Sequence, residues 1–293
     1  MDSKKETDQK KDEVNTFTVP FDLKEFNKTI KSNQNQNPSF INTIWITCSP
    51  RVGGTWTKNV IKEIYKLKKY NTLPKYQSKQ DPWSDQFKIA LEDNSKENVY
   101  IFHTHEDPGL NLPRSKYILN IRNPYDICAS FYEFMKCDLG PAIETAKNHL
   151  NDVNHFKKIH PDNLLINKYE DIENKPIDMI KDFCKFLNLK INLEDIQAIE
   201  SKFSRKNVRS NIIDLENSIK NDLKMGKQIN PENLVIISPS NIRCFDTQTA
   251  FQSGHISNRK TGEWKTIFSE SQIKSIIEHL DESCVLLGYQ SEK

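Results

Sequence analysis

Three short stretches of this sequence hold side chains whose types and spacing could do chemistry. The first, Ser49-Pro-Arg-Val-Gly-Gly-Thr-Trp56, sets two glycines and a threonine between an apolar run and a helical stripe. Small residues there let backbone N–H groups approach an anion, and the dipole of the following helix favours negative charge, so the segment reads as an oxyanion cradle. It is not a Walker A loop: no Gly-Lys-Ser/Thr follows, and Arg51 is its one basic residue. The second stretch, His103-Thr-His105, follows another apolar run, and an imidazole with an unperturbed pKa of about 6.5 suits general-base work. Two residues apart on one strand, His103 and His105 share a face, so spacing leaves open which is the base. The third, Arg122-Asn-Pro124, ends an apolar run and opens a helix that carries Asp126 and Ser130. A guanidinium there can clamp a phosphate bidentately, with an ion pair to Asp126 as the alternative use.

The elements that must position these groups can be read from hydrophobic periodicity. Thr43-Ile-Trp-Ile-Thr47, Val99-Tyr-Ile-Phe102, Tyr117-Ile-Leu-Asn-Ile121 and Leu164-Leu-Ile166 read as short buried strands. Helical stripes follow: Trp56, Val60, Ile64 and Leu67; Ile127, Phe131 and Phe134 after Pro124; Ile177, Ile180, Cys184 and Leu187 after Pro176. Strands alternating with helices predict an α/β fold, a central parallel sheet flanked by helices. Residues 205–262 mix polar, Ser/Asn-rich segments with one apolar patch, Leu234-Val-Ile-Ile237, and read mainly as loops. Ile273, Ile276, Ile277 and Leu280 predict a closing helix from Ser269 through Leu287.

Composition narrows the function classes. A chain of 293 residues can bury its core as one domain. Its net charge of +2, from 42 basic and 40 acidic residues, gives no global basic field, so nucleic-acid binding by bulk electrostatics is not expected. The charged start, MDSKKETDQKKDEVN, reads as a disordered tail over residues 1–15, with the fold beginning near Phe17. Neither a secretory signal nor a stretch of ~20 apolar residues is present, and a cytoplasmic protein that does not enter membranes is expected. The 6 cysteines, Cys48, Cys128, Cys137, Cys184, Cys244 and Cys284, are widely spaced without a CxxC pair, which predicts reduced thiols and no metal site.

Taken in order, these segments resemble the cytosolic sulfotransferases that use 3′-phosphoadenosine 5′-phosphosulfate (PAPS). The first loop is similar to their 5′-phosphosulfate loop, YPKSGTTW, matching at Pro50, Gly53, Thr55 and Trp56. Tyr117 through Asp126 with Ser130 resembles their 3′-phosphate element, His103-Thr-His105 their Lys-Thr-His, Lys168-Tyr-Glu-Asp171 their Tyr-Glu-Asp, and Gly262-Glu-Trp-Lys265 their Gly-Asp-Trp-Lys. Pro113 keeps the proline ahead of the next strand. The resemblance spans residues 43–289 and implies a single domain over 16–293 with a P-loop-like 5′-phosphosulfate-binding loop. It implies PAPS as donor, PAP as product, no metal, and a small-molecule acceptor. By the same resemblance His105 is the catalytic base, and Arg51, Val52, Gly53, Gly54, Thr55 and Trp56 hold the phosphosulfate. Arg122 and Ser130 hold the 3′-phosphate, Trp56, Tyr169 and Phe203 surround adenine, and Arg259 reaches the 3′-phosphate from the C-terminal segment.

The chain departs from the family pattern at four places. Arg51 replaces a lysine that meets the bridging oxygen and leaving phosphate, keeping the charge in a bulkier, planar, bidentate form. Ser257, Asn258 and Arg259 stand where the family has RKG. The dimer motif KxxxTVxxxE is broken at Lys265 through Lys274, so a monomer or weak homodimer is expected. Glu106 and Asp107 follow His105, where the family has Leu-Pro, and motivate a polar or cationic acceptor such as a guanidinium toxin. The competing readings are a P-loop nucleotide kinase, which needs the missing Walker lysine, and a non-catalytic nucleotide-binding module.

Overall fold

The structure, a computed structural model, describes residues 41–74, 83–105, 112, 114–158, 163–238 and 241–293. The N-terminal tail, the start near Phe17, Glu106, Asp107 and Pro113 lie outside the described residues.

The central strand β1 (Thr43–Thr47) is buried along its whole length. Ile44, Trp45 and Ile46 have no exposed surface, as expected of a strand covered on both faces. From β1 the chain turns into α1 (Gly54–Leu67), then makes β2 (Asn71–Leu73), α2 (Trp83–Glu92) and β3 (Asn98–Thr104). It continues through β4 (Ser115–Ile121), α3 (Pro124–Met135), α4 (Leu139–Phe156) and β5 (Leu164–Lys168). All pairings in this sheet are parallel, in the order β2-β3-β1-β4-β5. The predicted fold class is therefore the observed one.

This strand order decides where a site can form. The connection leaving β1 runs toward the β2 edge, whereas the connection leaving β4 runs toward β5. Two neighbouring strands with oppositely directed crossovers open a crevice at their C-terminal ends, where α/β folds bind ligands. The two loops at that crevice are the one after Thr47 and the one after Ile121.

Beyond β5 come the short helix α5 (Tyr169–Asn174), α6 (Pro176–Phe186), α7 (Leu193–Lys202) and α8 (Arg205–Lys224). The expectation of loops over 205–262 fails here, because α8 is a helix of 20 residues. Ser204 caps it by accepting the Asn207 N–H. Only a thin stripe of α8 touches the core: Val208 and Ile212 are buried, with Leu215 and Ile219 partly so. A face that narrow leaves the segment polar overall and hides its period. The patch at Leu234 is likewise a strand, β6 (Leu234–Ser238), paired antiparallel with β7 (Asn241–Cys244). The chain closes with α9 (Glu270–Leu286), which starts at a capping box on Ser269 and Gln272. Of the α1 stripe, Trp56, Val60 and Ile64 enter the core, while Leu67 ends exposed.

Candidate active site

The loop after β1 is shaped by two left-handed residues, Arg51 (φ 70°) and Gly53 (φ 87°). Gly53 is the N-cap of α1 and supplies no side-chain cap, so the first N–H groups of the helix are left for another acceptor. Side chains are excluded from the cradle by close approach. A Cβ on Gly53 would lie 2.6 Å from Cδ1 of Ile172, and one on Gly54 would lie 2.2 Å from Nε2 of His103. Val52 is fully buried beneath the loop, and Thr55 occupies the first turn of α1.

The loop after β4 is tied to this cradle. Arg122 Nη1 donates to the carbonyl oxygen of Arg51 at 2.7 Å, and its guanidinium stacks on the ring of Tyr169 at 3.8 Å. Its Nε is buried with no hydrogen-bond partner. The alternative ion pair with Asp126 does not form: Asp126 instead accepts from the Gly262 N–H through both carboxylate oxygens, at 3.1 and 2.9 Å. Burial lifts the Asp126 pKa above the ordinary carboxylate value.

Behind both loops runs a chain of hydrogen bonds that the sequence did not reveal. The buried His149 of α4 accepts the Arg122 backbone N–H at Nε2 (3.2 Å), so its proton is on Nδ1, which donates to Ser49 Oγ at 2.8 Å. Ser49 in turn donates to Asp152 at 2.5 Å. Serine, histidine and aspartate here make no nucleophilic triad, since the serine lies between the other two and is buried. Burial, with Arg122 nearby, lowers the His149 pKa to about 4, so the ring stays neutral and keeps this pattern.

The structure brings Arg51 and Ser130 into contact, although the resemblance assigned them to different phosphates. Arg51 donates from Nε to Ser130 Oγ at 3.0 Å and from Nη2 to the His255 carbonyl at 3.1 Å, with its guanidinium 4.0 Å from the ring centre of Phe134. Burial and the adjacent Arg122 pull its pKa down to about 9.

Of the two histidines, His105 lies just past β3 and is exposed, while His103 is half-buried within the strand. His105 Nδ1 meets the Cys48 carbonyl at 2.7 Å. A carbonyl can only accept, so Nδ1 carries a proton, and in the neutral ring the lone pair is on Nε2. His103 points Nε2 at Cys48 Sγ, 3.5 Å away, and burial holds its pKa well below the ordinary histidine value. Of the pair, His105 is thus the one at the surface and His103 the one turned toward Cys48.

Three cationic or titratable neighbours had no signal in the sequence. Burial lowers Lys58 on α1 to about 7. His255 packs between Phe134 and Phe251, and burial together with Arg51 pushes its pKa well down. Arg243 lies over Phe134 at 3.5 Å. Arg243 and His255 reach the site from segments remote in sequence, whereas Lys58 comes from the second turn of α1.

Trp56 and Phe203 are core residues, the indole N–H donating to the Phe203 carbonyl at 3.0 Å and its ring facing Phe183. Arg259 pairs with Glu133 at 2.5 Å and buries an unpartnered Nε. Its segment is stitched down by α8, with Arg205 donating to the carbonyls of Ser257 (2.5 Å) and Arg259 (2.7 Å) and Arg209 to that of Ser257 (2.8 Å).

Comparison with known proteins bears on the family and the fold. A family model described as the sulfotransferase domain matches residues 42–287. The mouse sulfotransferase SULT7A1 complexed with PAP superposes with TM-score 0.52 at 16% identity, covering 89% of this chain and 91% of that one. Retinol dehydratase in complex with androsterone and inactive cofactor PAP gives TM-score 0.51 at 14% identity, covering 87% and 85%. Among curated proteins no relative matches this sequence. No helix of the described residues is long and apolar enough to cross a membrane.

Proposed function

The chain belongs to the sulfotransferase domain family by its match over residues 42–287, and on that premise we propose that it moves a sulfuryl group from PAPS to a hydroxyl or amine of a small acceptor, releasing PAP. The observation that carries this reading is the meeting of the 51–54 loop with Arg122 at the C-terminal ends of β1 and β4, with His105 at the end of the adjacent strand. The residues fit an anionic nucleotide. The backbone cradle admits no side chain at Gly53 or Gly54, and Arg122 and Arg259 each bury an Nε that lacks a partner.

When bound, PAPS supplies the sulfuryl group and a phosphate leaving group, and a loose in-line transfer asks the protein mainly for positioning and charge. His105 Nε2 takes the acceptor proton. The N–H groups at the start of α1, with Arg51, offset negative charge growing on the leaving phosphate. Arg122 and Ser130 would hold the 3′-phosphate side, with Arg259, paired to Glu133, as the cation offered by the C-terminal segment. Trp56, Tyr169 and Phe203 would form the wall behind the adenine.

The acceptor is read no finer than a small nucleophile. A guanidinium acceptor, which Glu106 and Asp107 would favour, draws no support from the described side chains, since Arg51, Lys58 and Arg243 gather cations there. A cytoplasmic monomer or weak homodimer completes the reading.

The test compares thermal stabilisation by PAP with that by ATP plus Mg²⁺, then measures PAPS turnover on a panel of phenols, sterols and amines, with His105→Ala as control. Stabilisation by PAP and turnover that depends on His105 are expected. Preference for ATP would favour the kinase, and PAP binding without turnover of any acceptor would favour the non-catalytic module.

A further inference from the structure

We propose that Cys48, His103 and His105 form a metal site for a borderline-soft divalent cation, Zn²⁺ foremost, and that filling it switches off sulfuryl transfer. The binding half stands on geometry alone, while the inhibitory half rests on His105 being the base.

The sequence gives no hint of such a site, because Cys48 and His103 are 55 residues apart. The parallel pairing of β1 with β3 brings their ends together, and one ligand atom from each of the three residues lies within 4.8 Å of the others. Zinc bonds of about 2.0–2.3 Å set ligand separations near 3.5 Å in a tetrahedron, so contraction by roughly an ångström closes the site. Two features preorganise it. The His105 Nδ1–H donates to the Cys48 carbonyl, the arrangement in which a metal-binding histidine presents Nε2 to the ion. His103 is held against the loop backbone, where a Cβ on Gly54 would stand 2.2 Å from its Nε2.

One thiolate and two imidazoles suit Zn²⁺, Co²⁺ or Cu²⁺ and not the hard, oxygen-seeking Mg²⁺ or Ca²⁺. Three protein ligands leave a fourth position for water or a substrate oxygen. Entry is from the side of His105, the exposed member of the set. On binding, the Cys48 S–H bond breaks, a sulfur–metal bond forms and the proton leaves to solvent, with no change of oxidation state. The His105 Nε2 lone pair then lies on the metal and cannot take the acceptor proton.

The experiment titrates the chelator-treated full-length protein with Co²⁺, following sulfur-to-cobalt charge transfer in the near ultraviolet, with Zn²⁺ as competitor and Mg²⁺ as control. One Co²⁺ per chain and a charge-transfer band are expected, lost in Cys48→Ser and in Cys48→Ala, the second guarding against a misfolded first. Loss of an outer-shell partner costs 10–100-fold in affinity, so loss of a ligand in His103→Gln should cost at least ~100-fold. Thermal melts establish that each variant is folded. In the activity arm Zn²⁺ lowers PAPS turnover, chelator restores it, and the variants, each measured against its own metal-free rate, shift the inhibition midpoint by the factor seen optically. Absence of the band, or a band that survives Cys48 replacement, overturns the site. A Cys48-dependent band without inhibition of an active enzyme overturns the switch, and a band on a chain that turns over no acceptor sustains the site while removing the function it was to regulate.

Discussion

Arg122 and Arg51 form one unit: the guanidinium of the first donates to the backbone carbonyl of the second at 2.7 Å. The residue following β4 thereby fixes the loop following β1, and the same guanidinium rests on Tyr169. Arg122→Lys keeps the charge but loses both the fork and the stack. PAP affinity measured by calorimetry should fall about 10–100-fold, the equivalent of one charge-assisted hydrogen bond of ~1.5–3 kcal/mol. Unchanged affinity would reduce Arg122 to a structural tie.

Arg51 tests whether the family lysine can be restored. Its side chain is spent on Ser130, the His255 carbonyl and Phe134. Arg51→Lys should keep kcat within about tenfold, whereas Arg51→Ala should lose about 100-fold or more, as removal of a single transition-state donor does elsewhere. Equal rates in the two variants would show that leaving-group charge is met by backbone N–H groups alone.

For His105 the readout is the split between binding and chemistry. His105→Ala should lower kcat by about 10²–10⁴-fold, with PAP stabilisation unchanged, since a general base acts on the acceptor and not on the nucleotide. A parallel loss of PAP stabilisation would instead mean that its bond to the Cys48 carbonyl shapes the cradle.

Stability should depend on pH through His149. Its folded pKa of about 4 lies below the ordinary 6.5, so between those values the unfolded chain binds a proton that the fold does not. Stability therefore rises with pH across this window and is lost as pH falls through it. A shift of this size is on the order of 3 kcal/mol, or roughly 6–12 °C in Tm for a chain of this length. In His149→Gln the slope of Tm against pH should flatten by that amount. Burial raises Asp126 and Asp152, which tilts stability the opposite way. An unaltered slope would place the acid sensitivity elsewhere.

Gly54→Ala is the steric test of the cradle. The added Cβ would meet His103 Nε2 at 2.2 Å and Cys48 Sγ at 2.5 Å, so either the strand end or the helix start must move. Overpacking of this kind costs about 1–3 kcal/mol, and a displacement near 1 Å at a reacting centre costs about 100-fold in rate. Denaturant unfolding and turnover on the same sample separate the two effects, and a fully active, fully stable variant would mean that the approach is looser than it stands.

Sequence alone determined four strands, β1, β3, β4 and β5, and three helices, α1, α3 and α6, ahead of residue 204, because each of those strands is a short apolar run and each of those helices shows a broad stripe; β2, α2, α4, α5 and α7 carried no such signal. It also marked the 49–56 loop, Arg122 and the histidine pair as candidates, since backbone cradles and phosphate clamps need particular residue types at short spacing. Where burial is thin, as along α8, the period faded and the helix was not legible. Tertiary structure alone decided what lies across the sheet: the partnership of Arg51 with Ser130, the His149–Ser49–Asp152 chain, the approach of Lys58, Arg243 and His255, and the meeting of Cys48 with His103. These contacts join residues tens to hundreds of positions apart, and no local preference encodes them. They arise because parallel pairing of β1 with β3 and β4 aligns three strand ends, and the loops beyond those ends must then share one crevice.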